Sequence, residues 1–296
     1  MRPPRSVVSG GTGFVGRFIV ERLLAEGHEV SVTGRNTPPA GFFSAPVRFA
    51  ADSLDPEADM AAVFIGADCF VHCAFDHVPG RYRGGEGNDP EGFRRRNLEG
   101  SLARFRAAKA AGVKRAVFLS SRAVYGDQPV GAALTEETPP HPNSLYGQVK
   151  LACEQGLAAL AERTFEAVSL RVTGVYGPAG AAHKWRPIID DYLSGRPVPP
   201  RAGTEVHGDD VAWAVVIALT APLQAAHEVF NVSDIVVDNA DVLAILQATT
   251  GASGALPAHA DASLLNVMST RKLRALGWRP GGRDLFEATV RETIGG

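Results

Sequence analysis

The chain has 296 residues, 45% of them hydrophobic, and 30 basic against 32 acidic side chains give a net charge of -2. That length suits one large α/β domain or a main domain with an appendage, and the near-neutral balance excludes binding to nucleic acid or membrane by bulk electrostatics. No apolar run approaches the ~18 residues of a membrane span, and MRPPR leads straight into a strand without a signal-type apolar stretch. A cytoplasmic protein acting on a small molecule is the expectation.

Residues 6–9 read as a short strand that enters the glycine run SGGTGFVG. The following FVGRFIVERLLAEG carries apolar residues at helical spacing. In this strand, turn and helix context, Gly10 permits a tight bend and Gly13 lets backbone N–H groups approach a pyrophosphate. Gly16 allows close packing of helix on sheet, and the helix N-terminus favours the anion. Thr12, Phe14 and Val15 complete the expected cofactor-binding turn.

Gly27 ends the helix, and HEVSVTGRN supplies a second strand whose end, Gly34 and Arg35, is the ribose-reading position. No carboxylate stands there for a ribose 2′-hydroxyl, while Arg35 offers a guanidinium to a 2′-phosphate. NADP is therefore the expected cofactor, with NAD as second choice.

Further apolar strands are predicted near 47–50, 69–74, 115–120 and 166–172, alternating with helices, which gives a Rossmann-type doubly wound parallel sheet. Ala74, Ser120 and Ser121 fall at strand ends, where ligands sit in this architecture. The run 76–90, DHVPGRYRGGEGNDP, is expected to be a long loop beside the site. Cys69 and Cys73 lie too far apart along one strand for a disulfide, and with Cys153 they read as small buried residues. No spacing of the eight histidines resembles a zinc site, so no metal is expected.

Tyr146 and Lys150 stand four apart in SLYGQVKLACE, which aims a phenol and an ammonium the same way on a helix. A phenol titrates near pH ~10, and a nearby positive charge brings it toward acid/base work at neutral pH. Beyond residue 178 the pattern becomes loop-rich to about residue 204, then HGDDVAWAVVIALTAP starts a helix with Asp209 and Asp210 as caps. FNVS at 230–233 reads as one more strand of the main sheet. The expected division is 1–177 plus about 206–232 for dinucleotide binding, and about 178–205 plus 233–296 for a smaller, discontinuous substrate domain.

The set GGTGFVG, FVHCAF, RRNLEGS, FLSSRAVYG, YGQVK, LRVTGVYGP, HGDDVA and LRALGWRP resembles the extended short-chain dehydrogenase/reductases, the NAD-dependent epimerase/dehydratase family. The resemblance implies that Tyr146 is the acid/base, Lys150 its pKa modulator and nicotinamide-ribose ligand, and Ser121 the hydroxyl that holds the reacting oxygen. Asp52, with Ser53 after it, matches an adenine contact. Ala74 and Val175 match cofactor-lining positions, and Asn97 a helix residue supporting the site. A homodimer through helices at 97–111 and 146–160 is also implied.

The departures bear on substrate. Arg122 and Ala123 stand where dehydratases of the family carry an Asp-Glu pair, which disfavours elimination of water. Gly174 and Gly203 replace an Asn and an Arg expected near a nucleotide-sugar diphosphate, with His183, Lys184, Arg186, Arg196 and Arg201 as compensating cations. The leading expectation is NADP-linked interconversion of a ketone and an alcohol on a small polar or sugar-like substrate. The alternatives are a nucleotide-sugar epimerase with tightly bound cofactor, and a cofactor-binding sensor or scaffold without catalysis.

Overall fold

Hydrophobic residues at successive positions of each inner strand point to opposite faces, so the sheet must be covered on both sides. In the computed structural model, which describes residues 2–78, 85–178 and 183–295, this is how the main layer is built. Its strands are β1 (Arg5–Ser9), β2 (Glu29–Gly34), β3 (Arg48–Ala51), β4 (Cys69–His72), β5 (Arg115–Ser121) and β6 (Glu166–Val172). A seventh, β9 (His227–Val232), completes it. All seven are parallel, in the order β3-β2-β1-β4-β5-β6-β9.

Val8, Val117 and Leu119 face α1 (Phe14–Ala25) and α6 (Gly208–Thr220), packing with Ile19, Leu23, Val211 and Val215. Their neighbours Val7, Ala116 and Phe118 face α3 (Ser101–Ala110) and α4 (Leu145–Leu160), packing with Phe105, Val149 and Leu157. Chain order reverses at β1, since β2 lies on one side of it and β4 on the other. That is the switch point where a crevice opens beyond the strand ends.

A second sheet has the order β10-β8-β7, from β7 (Gly174–Tyr176), β8 (Ala202–His207) and β10 (Ile235–Asp238). It packs with α5 (Arg186–Leu193), α7 (Asn239–Thr250) and α9 (Gly282–Gly295) around Tyr176, Trp185, Leu243 and Phe286. The stretch expected to be loop thus contains a helix and a strand. Residues 174–176, expected in the dinucleotide-binding part, pair with β8 instead. β4 stops at His72, two residues short of the expectation, because Cys73 and Ala74 pass over the glycine turn; a Cβ on Gly10 would lie 2.7 Å from Ala74 Cα. Parts of two expected loops, residues 79–84 and 179–182, lie outside the described residues.

Asp209 and Asp210 do not cap α6. His207 does, its Nδ1 accepting from Asp209 N at 3.1 Å, while the Asp210 carboxylate accepts from Gly281 N at 3.1 Å and ties α6 to the C-terminal tail.

Candidate active site

The glycine turn is fixed by sterics. Gly10 has φ +69°, a left-handed conformation that favours glycine. A Cβ on Gly16 would press on Gly10 O and lie 2.8 Å from Gly11 Cα, so at Gly16 the start of α1 backs onto the turn itself. The cap of α1, Gly13, makes no side-chain hydrogen bond, and the first turn holds no acid. Open N–H groups at a helix dipole's positive end, in a cradle that added Cβ atoms would fill, fit a dinucleotide pyrophosphate. Phe14, 38% exposed, sits edge-on to Phe18 at 5.5 Å beside this turn, and Val15 is half-buried. Thr12 Oγ1 would be 3.0 Å from a Cβ on Gly34.

Arg35 departs from its expected role. Its guanidinium lies 3.1 Å from Asp76 Oδ1, and Asp76 Oδ2 accepts from Arg96 Nε at 2.6 Å. Arg35 follows β2 and Asp76 follows β4, so the pair joins the ends of the two strands that flank β1. One nitrogen of this guanidinium, on a side chain that is 66% exposed, is thus given to an ion pair within the protein, and NADP as first choice is not supported.

Asp52 is also engaged. Burial alone would raise its carboxyl pKa, but hydrogen bonds from Arg104 and from Leu54 N outweigh that and hold it below the usual range. The Asp52 and Arg104 side chains are 3% and 2% exposed, so the carboxylate faces the protein, and exposed Ser53 follows it.

The candidate catalytic residues lie on elements that meet where β5 ends and α4 begins. Ser121 terminates β5, its Oγ accepting from Ala123 N at 3.1 Å. Ser144 Oγ caps α4 by accepting from Gly147 N at 3.2 Å. A Cβ on Gly147 would lie 2.5 Å from Ala123 O, so glycine beside Tyr146 lets α4 start directly against the turn after Ser121. Gly147 escaped the sequence-based expectations, although it stands in YGQVK.

Ser120 faces the other way. It donates to Glu154, which also accepts from Arg171 Nη2 at 2.8 Å in a buried ion pair. The period-2 alternation of the strand turns Ser121 to the opposite face from Ser120 at the very end of β5.

Lys150 is buried with Nζ 2.6 Å from Leu119 O and 5.9 Å from the Tyr146 ring centroid. Phe75, also missed in the sequence, places its ring 4.4 Å from this ammonium and 5.0 Å edge-on from the Tyr146 ring. Burial lowers the Lys150 pKa to about 8, against an upward pull from Cys153, Cys73 and Glu154. Half-buried Tyr146 therefore adjoins an ammonium that water screens poorly.

Behind these groups, one polar chain joins the end of β1, at the glycine turn, to the start of α3. Ser101 Oγ donates to Asn97 O at 2.5 Å, so it accepts from His72 Nε2 at 2.8 Å; His72 Nδ1 then accepts from Ser9 Oγ at 2.5 Å. Burial, then Lys150, hold the His72 pKa down at about 3, so this imidazole is neutral. Asn97, in the π-helical turn Arg95–Gly100, accepts from Asp76 N at 2.6 Å and donates to Asp76 O at 2.7 Å. It fixes the strand-end segment that carries Ala74, whose backbone meets the glycine turn.

On the far wall, half-buried Val175 in β7 packs against the main core. Arg122 Nη2 donates to Asn266 O at 2.9 Å, while Arg186 pairs with Asp190 at 2.8 Å and Arg196 with Asp191 at 2.7 Å. Lys184 pairs with Glu205. Three of the expected phosphate-compensating cations thus already have acidic partners.

The model of the "NAD dependent epimerase/dehydratase family" matches residues 6–233. The chain belongs to this family. It is 26% identical over 308 residues to a UDP-glucose 4-epimerase of Corynebacterium glutamicum, covering 94% of this chain and 92% of that protein. It is 33% identical to a dTDP-6-deoxy-L-talose 4-dehydrogenase (NAD(P)(+)) of Kitasatospora kifunensis, over 61% of this chain and 55% of that one. The solved UDP-glucose 4-epimerase of Thermus thermophilus in complex with NAD superposes with a TM-score of 0.80 at 29% identity, covering 99% of each chain. Family members of this kind are NAD-dependent epimerases and dehydrogenases, and the present chain is an enzyme of that group.

Proposed function

We propose that this enzyme interconverts a secondary alcohol and a ketone with NAD, using Tyr146 as the proton-transfer group. The observation that carries the reading is the buried Lys150, its Nζ 5.9 Å from the Tyr146 ring and its pKa drawn down to about 8. When bound, the nicotinamide supplies the hydride acceptor or donor. Tyr146 gives a proton to the developing alkoxide or takes one from the alcohol, and Lys150 favours the phenolate that this leaves. Ser121 adds a second hydrogen bond to the same oxygen, and Phe75 excludes water from the ammonium.

Gly10, Thr12, Gly13, Phe14, Val15 and Gly16 form the proposed cradle for the pyrophosphate, Ser53 and the Asp52 backbone the adenine side, and Ala74 and Val175 the nicotinamide side. The family and the NAD-bound relative favour NAD; a 2′-phosphate at Arg35 would share the guanidinium with Asp76. The reading includes a cytoplasmic homodimer through α3 and α4, supported by the small residues Ala152 and Ala159 along α4.

The second reading is sugar-nucleotide epimerisation, favoured by the near full-length match to UDP-glucose 4-epimerase. Net cofactor turnover separates the two. Incubation with NAD or NADP and a panel of secondary alcohols and polyols is expected to accumulate reduced cofactor, faster with NAD. Inversion of a UDP-sugar without net cofactor reduction would replace the first reading with the second.

A further inference from the structure

The main sheet delivers Ser121 opposite Val172 in the ladder of β5 and β6. Two residues further on, Gly174 opens β7 directly beside Glu205 of β8. The site's far wall therefore begins at this pair.

Gly174 and Glu205 are sterically coupled. A Cβ on Gly174 would lie 2.8 Å from both Cδ and Oε1 of Glu205, so the carboxylate fills the space that a side chain at 174 would take. The acid is 13% exposed and pairs with Lys184, which is 32% exposed. Thr173, between β6 and β7, donates its hydroxyl to Thr204 O, and the two threonine hydroxyls lie 2.6 Å apart. Next to Lys184 in sequence, His183 is 7% exposed, and its Nδ1 has no hydrogen-bond partner among the described residues.

We propose that the Glu205–Lys184 pair over Gly174 is a specificity element that selects a neutral, polyhydroxylated substrate and rejects a diphosphate handle. The proposal rests on the alcohol/ketone reading and names its substrate class. A carboxylate, an ammonium and two hydroxyls offer both acceptors and donors, which is what a hydroxyl-rich molecule requires. A diphosphate instead needs surplus positive charge, preferably bidentate arginine. Here the neighbouring Arg186 and Arg196 are paired with acids of their own segment, and Lys184 is neutralised by Glu205. A phosphate approaching this wall meets a fixed carboxylate whose ammonium is already engaged.

Calorimetric titration with UDP, in the presence of NAD, tests the assignment. Wild type is expected to bind UDP weakly, and Glu205→Gln, which keeps the shape and removes the charge, to bind at least tenfold more tightly. Lys184→Met, at a partly exposed position, leaves the acid without its counter-charge and is expected to weaken UDP further. Tight UDP binding by wild type, or Glu205→Gln and Lys184→Met both indistinguishable from it, would overturn the proposal. Cofactor reduction with neutral polyols is read separately. If no polyol is oxidised yet Glu205→Gln gains UDP affinity, the charge selection stands and the alcohol reading falls; polyol oxidation without that gain does the reverse.

Discussion

The two walls of the crevice are built by different means. On the cofactor side the backbone decides: Gly10 at positive φ, Gly16 pressed against Gly10 and Gly11, and a helix start left open to an anion. On the substrate side, side chains decide, with Glu205 seated over Gly174 and paired to Lys184. Backbone geometry of the first kind tolerates few substitutions and holds one cofactor class. Charge pairs of the second kind can be altered one residue at a time without disturbing the strands, which is why substrate choice is proposed to be set at this wall.

The comparison is broken most directly by a substitution in the glycine turn. Gly16→Val forces a branched side chain into the carbonyl of Gly10, and overpacking of this kind costs about 3 kcal/mol. The expected result is a clear fall in thermal unfolding temperature together with lost NAD binding. A variant with unchanged unfolding and unchanged NAD affinity would show that the turn is not under the steric control described.

A second effect, on the pH dependence of stability, is expected from the polar chain behind the turn. His72 has a native pKa of about 3 against an ordinary 6.5, so between these values the unfolded chain binds a proton that the native chain refuses. Its contribution to stability is therefore complete above pH 6.5 and is lost as the pH falls toward 3. At most this amounts to about 1.4 kcal/mol per pH unit for one proton. His72→Asn removes the titration, and its unfolding temperature is expected to fall less steeply between pH 6.5 and about 4 than that of wild type. Equal slopes would mean that another group carries the acid sensitivity.

The same contrast explains what could be read from the sequence. Strand, glycine turn and helix are consecutive, and Tyr146 and Lys150 are four apart, so local spacing carried the parallel sheet and the candidate acid/base pair. The strand β7 is only three residues long, too short for a periodicity, and its partner β8 follows a stretch rich in proline and glycine. Glu205 went unnoticed because its meaning depends on Gly174 and Lys184, which approach it only in the folded chain. Arg35 read as an open phosphate site for the same reason: Asp76, which engages it, is 41 positions away. Gly147 was visible beside Tyr146, but only packing on Ala123 gives it a reason.

The central claim is that Tyr146 transfers the proton while the cofactor site stands independently of it. Steady-state kinetics and NAD titration of Tyr146→Phe, on an alcohol that wild type oxidises, test this in one comparison. The account predicts NAD affinity within about twofold of wild type, because the ring and its packing against Phe75 remain, and kcat lower by roughly 100-fold or more. Turnover close to wild type in that variant would contradict it.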